Sequence, residues 1–160
     1  MTDLPIVETI KGDQVQPCNL LLHDNEGQLV FKNEKDPTQL FIYDLETGKV
    51  VQQIKTGKEI IKFNSISNDM KNGQKETERT LFGVETQGIH QLDPRVGGNS
   101  LINSKTYKTN VLFNTISPTV SGGFAVGSAN GDIRMYKQMG QIAKTYLPGL
   151  GEQIKSIDIS

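Results

Sequence analysis

Side chains able to do chemistry are sparse in this chain of 160 residues. His23 and His90 are the only histidines and Cys18 is the only cysteine. A nucleophilic Cys–His pair would need the fold to bring Cys18 against an imidazole, because the thiol is a poor nucleophile without a base in hydrogen-bond reach. Cys18 leads into Asn19-Leu20-Leu21-Leu22, which suits a buried thiol behaving as a small apolar group. His90, between Ile89 and Gln91, reads as a packed, hydrogen-bonded core histidine rather than a ligand. The run Gly122-Gly123-Phe124-Ala125-Val126-Gly127 has the glycines of a phosphate cradle but leads into a strand and a turn. Phosphate binding by such a loop needs a helix N-terminus there. No catalytic, cofactor-binding or metal-binding residue is assigned, no cofactor is expected, and the chain reads as a non-enzyme.

The most informative polar residues are Asp93, Arg95 and Arg134. In one account Asp93 accepts backbone N–H bonds at a strand end, Pro94 presets the turn and Arg95 pairs locally. In the other, Arg95 and Arg134 project from a surface to recognise an acidic segment of a protein partner. The first account is favoured for Asp93 and Arg95, and all three are carried forward as candidate partner-binding residues.

Charge narrows the partners. With 17 Lys+Arg against 18 Asp+Glu, the formal charge is −1. Domains that bind nucleic acid through phosphates carry a basic excess, so no nucleic-acid partner is expected. One cysteine cannot form an internal disulfide or a cysteine-rich zinc site, which points to a reducing, cytoplasmic setting. Apolar runs fall far short of the roughly 20 residues that span a bilayer, and the first residues lack a basic start followed by an apolar core. No membrane insertion is expected.

The elements that must position these residues are announced by an internal repeat. Phe63-Asn64-Ser65-Ile66-Ser67 recurs as Phe113-Asn114-Thr115-Ile116-Ser117, and weakly as Ser156-Ile157-Asp158-Ile159-Ser160. Independently, Leu40-Phe41-Ile42-Tyr43-Asp44 matches Ile89-His90-Gln91-Leu92-Asp93 and Ile133-Arg134-Met135-Tyr136-Lys137. Both tracks give a unit of middle-forties length, divided into short β-branched or aromatic runs by Gly, Asn and Asp. That is a strand-and-turn signal. Asn130-Gly131 suits a tight type I′ hairpin, whose central residues both need positive φ. Leu40 and Ile42 point to one face and Phe41 and Tyr43 to the other, so this strand must be sandwiched between layers.

Four antiparallel strands repeating at this period make the blade of a β-propeller. The alternative is a β-sandwich with accidental similarity. The expected fold is all-β, a partial β-propeller with about three complete four-stranded blades plus partial strands at both ends. Residues 4–10 read as the outer strand of a preceding blade, 17–55 as blade one, 58–108 as blade two with a solvated loop at 68–80, 110–148 as blade three, and 152–160 as the first strand of a next blade. Three blades leave two apolar faces uncovered, so the chain reads as a fragment of a longer propeller. Should it be natural as it stands, self-association through those faces is expected.

Leu40 to Val51 and Asn130 to Tyr136 resemble the third strand, turn and fourth strand of WD-repeat blades. Tyr43, Leu92 and Tyr136 stand at that family's tryptophan, Asp44 and Asp93 at its aspartate, and Lys137 departs from it. A closer resemblance lies in Asp44-Leu45-Glu46 with Gly48-Lys49-Val50-Val51, in Asp93-Pro94-Arg95 with Gly98-Asn99, and in Gly131-Asp132-Ile133-Arg134 followed by Leu147-Pro148-Gly149-Leu150-Gly151. Together these resemble the C-terminal WD-like domain of the vacuolar import and degradation family. Members of that family carry a longer N-terminal region and a longer propeller. The resemblance implies a cytoplasmic protein-interaction scaffold that directs metabolic enzymes to vacuolar degradation. The alternative is a propeller enzyme, or a binder of small ligands or metals in its central channel.

Overall fold

The computed structural model describes residues 7–8, 11–23, 27–57, 60–69 and 80–159. The expected loop at 68–80 falls almost wholly outside these, as does most of the expected strand at 4–10. The described secondary structure is all β, and no helix is long and apolar enough to cross a membrane. The chain divides into two compact units, Met1–Lys62 with Arg95–Ser100, and Phe63–Pro94 with Leu101–Ser160.

In the first unit, β1 (Val7–Glu8) pairs antiparallel with β2 (Gln14–Val15). A four-stranded antiparallel meander follows, made of β3 (Pro17–His23), β4 (Gln28–Asn33), β5 (Leu40–Asp44) and β6 (Lys49–Ile54). Leu40, Phe41 and Ile42 are all buried, as the two-sided apolar pattern of this strand requires. Phe41 packs with Val15, Phe31 and Val50, its ring centroid 5.7 Å from that of Phe31. The β5–β6 turn closes because Asp44 Oδ1 accepts from the Glu46 N–H at 2.8 Å and Gly48 takes φ +68°. The segment Arg95–Ser100 joins this unit through the Ser100 N–H, which donates to the Lys55 carbonyl at 2.7 Å.

The second unit holds two more sheets. One comprises β7 (Ser65–Asn68), β8 (Leu81–Glu85), β9 (Gly88–Leu92) and β10 (Leu101–Thr106); the other β11 (Phe113–Pro118), β12 (Phe124–Ser128), β13 (Ile133–Tyr136) and β14 (Thr145–Leu147). Their shared core includes Phe82 and Val84 from the first sheet and Phe113, Phe124, Val126 and Tyr136 from the second. All five residues of β12 are buried, so this strand is covered on both faces. Sheets stacked in this way, each of four antiparallel strands, are the unit of a propeller. The registers also align the second repeat track: Phe41, His90 and Arg134 lie opposite Phe31, Gly83 and Val126, each in the second strand of its sheet.

The first repeat track has a structural meaning that its sequence did not declare. The Asn64 side-chain amide donates to the Phe113 carbonyl at 2.8 Å, while the Phe113 N–H donates to the Thr86 carbonyl at 2.9 Å. One repeat later, Asn114 donates to the Ile154 carbonyl at 2.9 Å and the Ile154 N–H donates to the Ser128 carbonyl at 3.0 Å. Each asparagine therefore captures a backbone carbonyl of the chain segment that follows its own sheet. Gly127 leaves room for that segment, since a Cβ there would lie 2.6 Å from Ile154 Cγ2.

Two expectations are corrected. Residues 152–159 form no strand; Ile154 lies against the end of β12, joined to it by one bond to the Ser128 carbonyl and not by a ladder. The Asn130-Gly131 turn is not type I′, since only Gly131 has positive φ, at +88°. The Ser128 hydroxyl oxygen accepts from the N–H groups of Asn130 and Asp132 at 3.2 and 3.0 Å, holding a longer connection that needs one left-handed residue rather than two.

Candidate partner-binding site

Sequence reasoning offered three residues, and the structure distributes them. Asp93 follows the last residue of β9 and is half-buried, Pro94 beside it is buried, and Arg95 is exposed. All three engage neighbouring groups. Asp93 belongs to the second unit and Arg95 to the first.

Arg134 is built differently. On β13 the alternation of a strand puts Arg134 and Tyr136 on one face and Ile133 and Met135 on the other. The guanidinium carbon of Arg134 lies 5.6 Å from the Tyr107 ring centroid, 5.5 Å from that of Phe113 and 5.1 Å from that of Tyr146. Contacts of this kind stabilise by about 0.5–2 kcal/mol each, more as water is excluded. Its Nη1 is buried and finds no hydrogen-bond partner among the described residues. Arg134, expected to project from a surface toward an acidic partner segment, is a half-buried guanidinium walled by three rings.

A second cation joins the array. Lys105, on β10, places Nζ 5.5 Å from the Tyr107 centroid and 5.4 Å from that of Tyr136, and donates to the Gln141 carbonyl. Tyr136 stacks on Phe124 at 5.0 Å and shares a short hydrogen bond with the Tyr107 hydroxyl. Burial first, then the hydrogen bond and proximity of Tyr107, push the Tyr136 phenol far above its ordinary range, against a smaller opposing pull from Arg134. Tyr136 thus stays a neutral phenol that fixes Tyr107, and Tyr107 in turn floors the guanidinium.

An arginine held between aromatic planes keeps its planar fork in one orientation, which suits it to bidentate recognition of a carboxylate or phosphate. Sequence reasoning missed Lys105, Tyr107 and Tyr146. The available signal was the two-residue spacing of Lys105 with Tyr107 and of Arg134 with Tyr136, which puts a cation and a ring on one face of each run.

The other reactive groups have structural occupations. The His90 Nδ1 lies 2.8 Å from the Ser104 hydroxyl, its Nε2 lies 3.3 Å from Glu85 Oε1, and the ring meets Phe63 edge-on. Burial pushes the Cys18 thiol up, opposite to the shift that activates a nucleophile. Among the described residues no group of three or more His, Cys, Asp and Glu could hold a metal ion.

Comparison with known proteins adds the wider setting. The family described as "VID27 C-terminal WD40-like domain" matches residues 1–160. The "Vacuolar import and degradation protein 27" of Schizosaccharomyces pombe is 36% identical over 161 residues, covering 99% of this chain and 20% of that protein. The protein of the same name from Saccharomyces cerevisiae is 32% identical over 158 residues, covering 96% of this chain and again 20% of the relative. The chain thus spans about a fifth of the length of these relatives. Among solved structures, a chain in "Crystal Structure of Mitotic Checkpoint Complex" superposes with TM-score 0.62 at 13% identity, over 91% of this chain and 44% of that one.

Proposed function

Because the chain belongs to the VID27 family, by its C-terminal WD40-like domain, we propose that it is a non-catalytic interaction module that acts from the cytoplasm to bring metabolic enzymes to vacuolar import and degradation. The names of its relatives support the pathway. The observation that carries the interaction role is the Arg134 guanidinium, walled by three rings and holding a buried Nη1 with no acceptor among the described residues. The rings satisfy the charge but offer no acceptor, and a partner's acidic group would supply one. Arg95, exposed on the first unit, and Asp93, half-buried on the second, are separate candidate contacts in this reading.

The test is turnover. In cells lacking the gene, metabolic enzymes are followed after a change of carbon supply, and slower decay than in the parent is expected. Unaltered decay overturns the degradation role. The non-catalytic part is tested by melting the purified protein with divalent metals and metabolites, where specific binding must raise the midpoint. The midpoint is expected to stay fixed, and a reproducible rise overturns this part.

A further inference from the structure

The interaction reading leaves open which surface binds and what shape the partner segment takes. Resting on that reading, we propose that the outer edge of the third sheet, β14, receives an extended segment of a partner protein as an added antiparallel strand, with an acidic side chain of that segment gripped by Arg134.

Three observations converge on this edge. First, β14 is the last strand in the order β11-β12-β13-β14, so its far side presents backbone N–H and C=O groups to no described strand. Such an edge is a template for strand addition unless charge, proline or a covering element blocks it. Residues Thr145, Tyr146 and Leu147 carry no charge and are exposed, with Tyr146 at 50% and Leu147 at 49%. Ile142, just before the strand, is 86% exposed.

Second, the register places Arg134 directly across from Tyr146. A residue added opposite Tyr146 on the free side therefore has its side chain on the same face as Tyr146 and Arg134. Neighbouring strands lie about 4.8 Å apart, so that residue sits about two strand spacings from the arginine backbone. The guanidinium carbon lies 5.1 Å from the Tyr146 centroid, with the Phe113 ring of β11 5.5 Å away. A glutamate or aspartate in the added strand can close the remaining distance.

Third, cations gather at this edge, and the carboxylate beside it, Asp132, already accepts from the Gly149 N–H at 2.7 Å. Arg134, Lys105 and Lys144 lie on or beside these strands, and no carboxylate among the described residues pairs with Arg134. An added carboxylate would meet a half-buried cation that no described carboxylate neutralises, a condition that favours a charge-assisted bond.

The experiment uses the full chain and two synthetic extended peptides of alternating β-branched and acidic residues, identical except that one carries glutamine for every glutamate. Binding is followed by fluorescence anisotropy, and amide hydrogen exchange is read at Thr145–Leu147. The acidic peptide is expected to bind and to slow exchange at those amides. The glutamine peptide, and the acidic peptide on Arg134→Gln protein, are expected to bind about tenfold more weakly. Arg134→Lys, which keeps the charge but loses the fork, should recover part of the affinity. Arg134→Phe is the second variant, expected to melt close to the parent while binding as weakly as Arg134→Gln. Equal binding of both peptides would overturn the arginine grip. Acidic binding without slowed exchange at Thr145–Leu147, or full displacement by inorganic phosphate, would overturn strand addition. Absence of any binding would overturn the whole proposal, while the enzyme-turnover experiment still decides the broader interaction role.

Discussion

Phe41 in the first unit and Arg134 in the second occupy the same place in two repeats, yet only one of them is what a packed sheet asks for. Phe41 is 3% exposed, set against Phe31, Val15 and Val50. Arg134 reaches a comparable apolar position opposite Val126, but its charge forces a different solution, in which three rings take the place of water. His90 is the intermediate case, a polar ring buried at the same position and satisfied on one side by Ser104. The difference teaches that the repeat fixes the location of a side chain and its facing, while leaving free whether the position serves packing or recognition. Where packing alone would select Phe, the arginine is kept between rings, which is the ground for the recognition role proposed for it.

The comparison breaks first at Phe41. Truncation by Phe41→Ala removes a buried ring and leaves a void beside Phe31, and is expected to cost about 3–5 kcal/mol by denaturant unfolding. A loss below about 1 kcal/mol would mean that the two positions are not equivalent in the sense argued. The reciprocal change sharpens the contrast. Arg134→Phe supplies the residue that the position asks for, exchanging three cation–ring contacts for an apolar ring while removing a partly desolvated charge, and a net change within about 1 kcal/mol of zero is expected. Destabilisation beyond that would identify Arg134 as a structural part of the sheet and remove the ground for a recognition role.

Much of this was legible in the sequence because a repeat is read by comparing a chain with itself. The strands Leu40–Asp44, Gly88–Leu92 and Ile133–Tyr136 fall on the track that aligned Tyr43, Leu92 and Tyr136. Arg134 was singled out, but its surroundings were not, because Tyr107 and Tyr146 come from separate runs and meet it only through sheet pairing and stacking. The role of Asn64 and Asn114 was hidden for the same reason: their acceptors lie 49 and 40 residues further on. The Asn130-Gly131 turn was misjudged because dipeptide preference ignores a neighbouring hydroxyl, and Ser128 decided the geometry. His90 needed only its neighbours Ile89 and Gln91 to be placed in the core, where it lies.

A smaller effect separates the two asparagines. Asn64→Ala and Asn114→Ala each remove one hydrogen bond to a backbone carbonyl, worth about 0.5–1.5 kcal/mol. The Asn64 bond seats Phe113, which is 1% exposed within the shared core, so its loss should register in the global unfolding midpoint. The Asn114 bond seats Ile154 in a segment that forms no strand, so its loss should appear mainly as faster amide exchange at Ile154. Equal shifts of the midpoint would show that residues 152–159 are as firmly part of the second unit as β11 is.

An effect of the same size at neutral pH, and the most selective, belongs to Tyr136. It shares its register with Leu92, and both are buried, but only Tyr136 carries a titratable group. In the unfolded chain its phenol ionises near pH 10. In the folded chain burial and the Tyr107 hydroxyl hold the proton on to higher pH. The stability linked to this shift is therefore present in full below about pH 10 and is lost as pH rises beyond it, because only the unfolded chain gives up the proton readily. Tyr136→Phe should flatten the alkaline fall in stability and remove the last component of the ultraviolet phenolate titration. At neutral pH it should cost only the bond to Tyr107, about 0.5–1.5 kcal/mol. If Tyr136→Phe leaves the alkaline slope unchanged, the phenol pair does not brace Tyr107. The arginine would then rest on Phe113 and Tyr146 alone, and its fork would be free to turn.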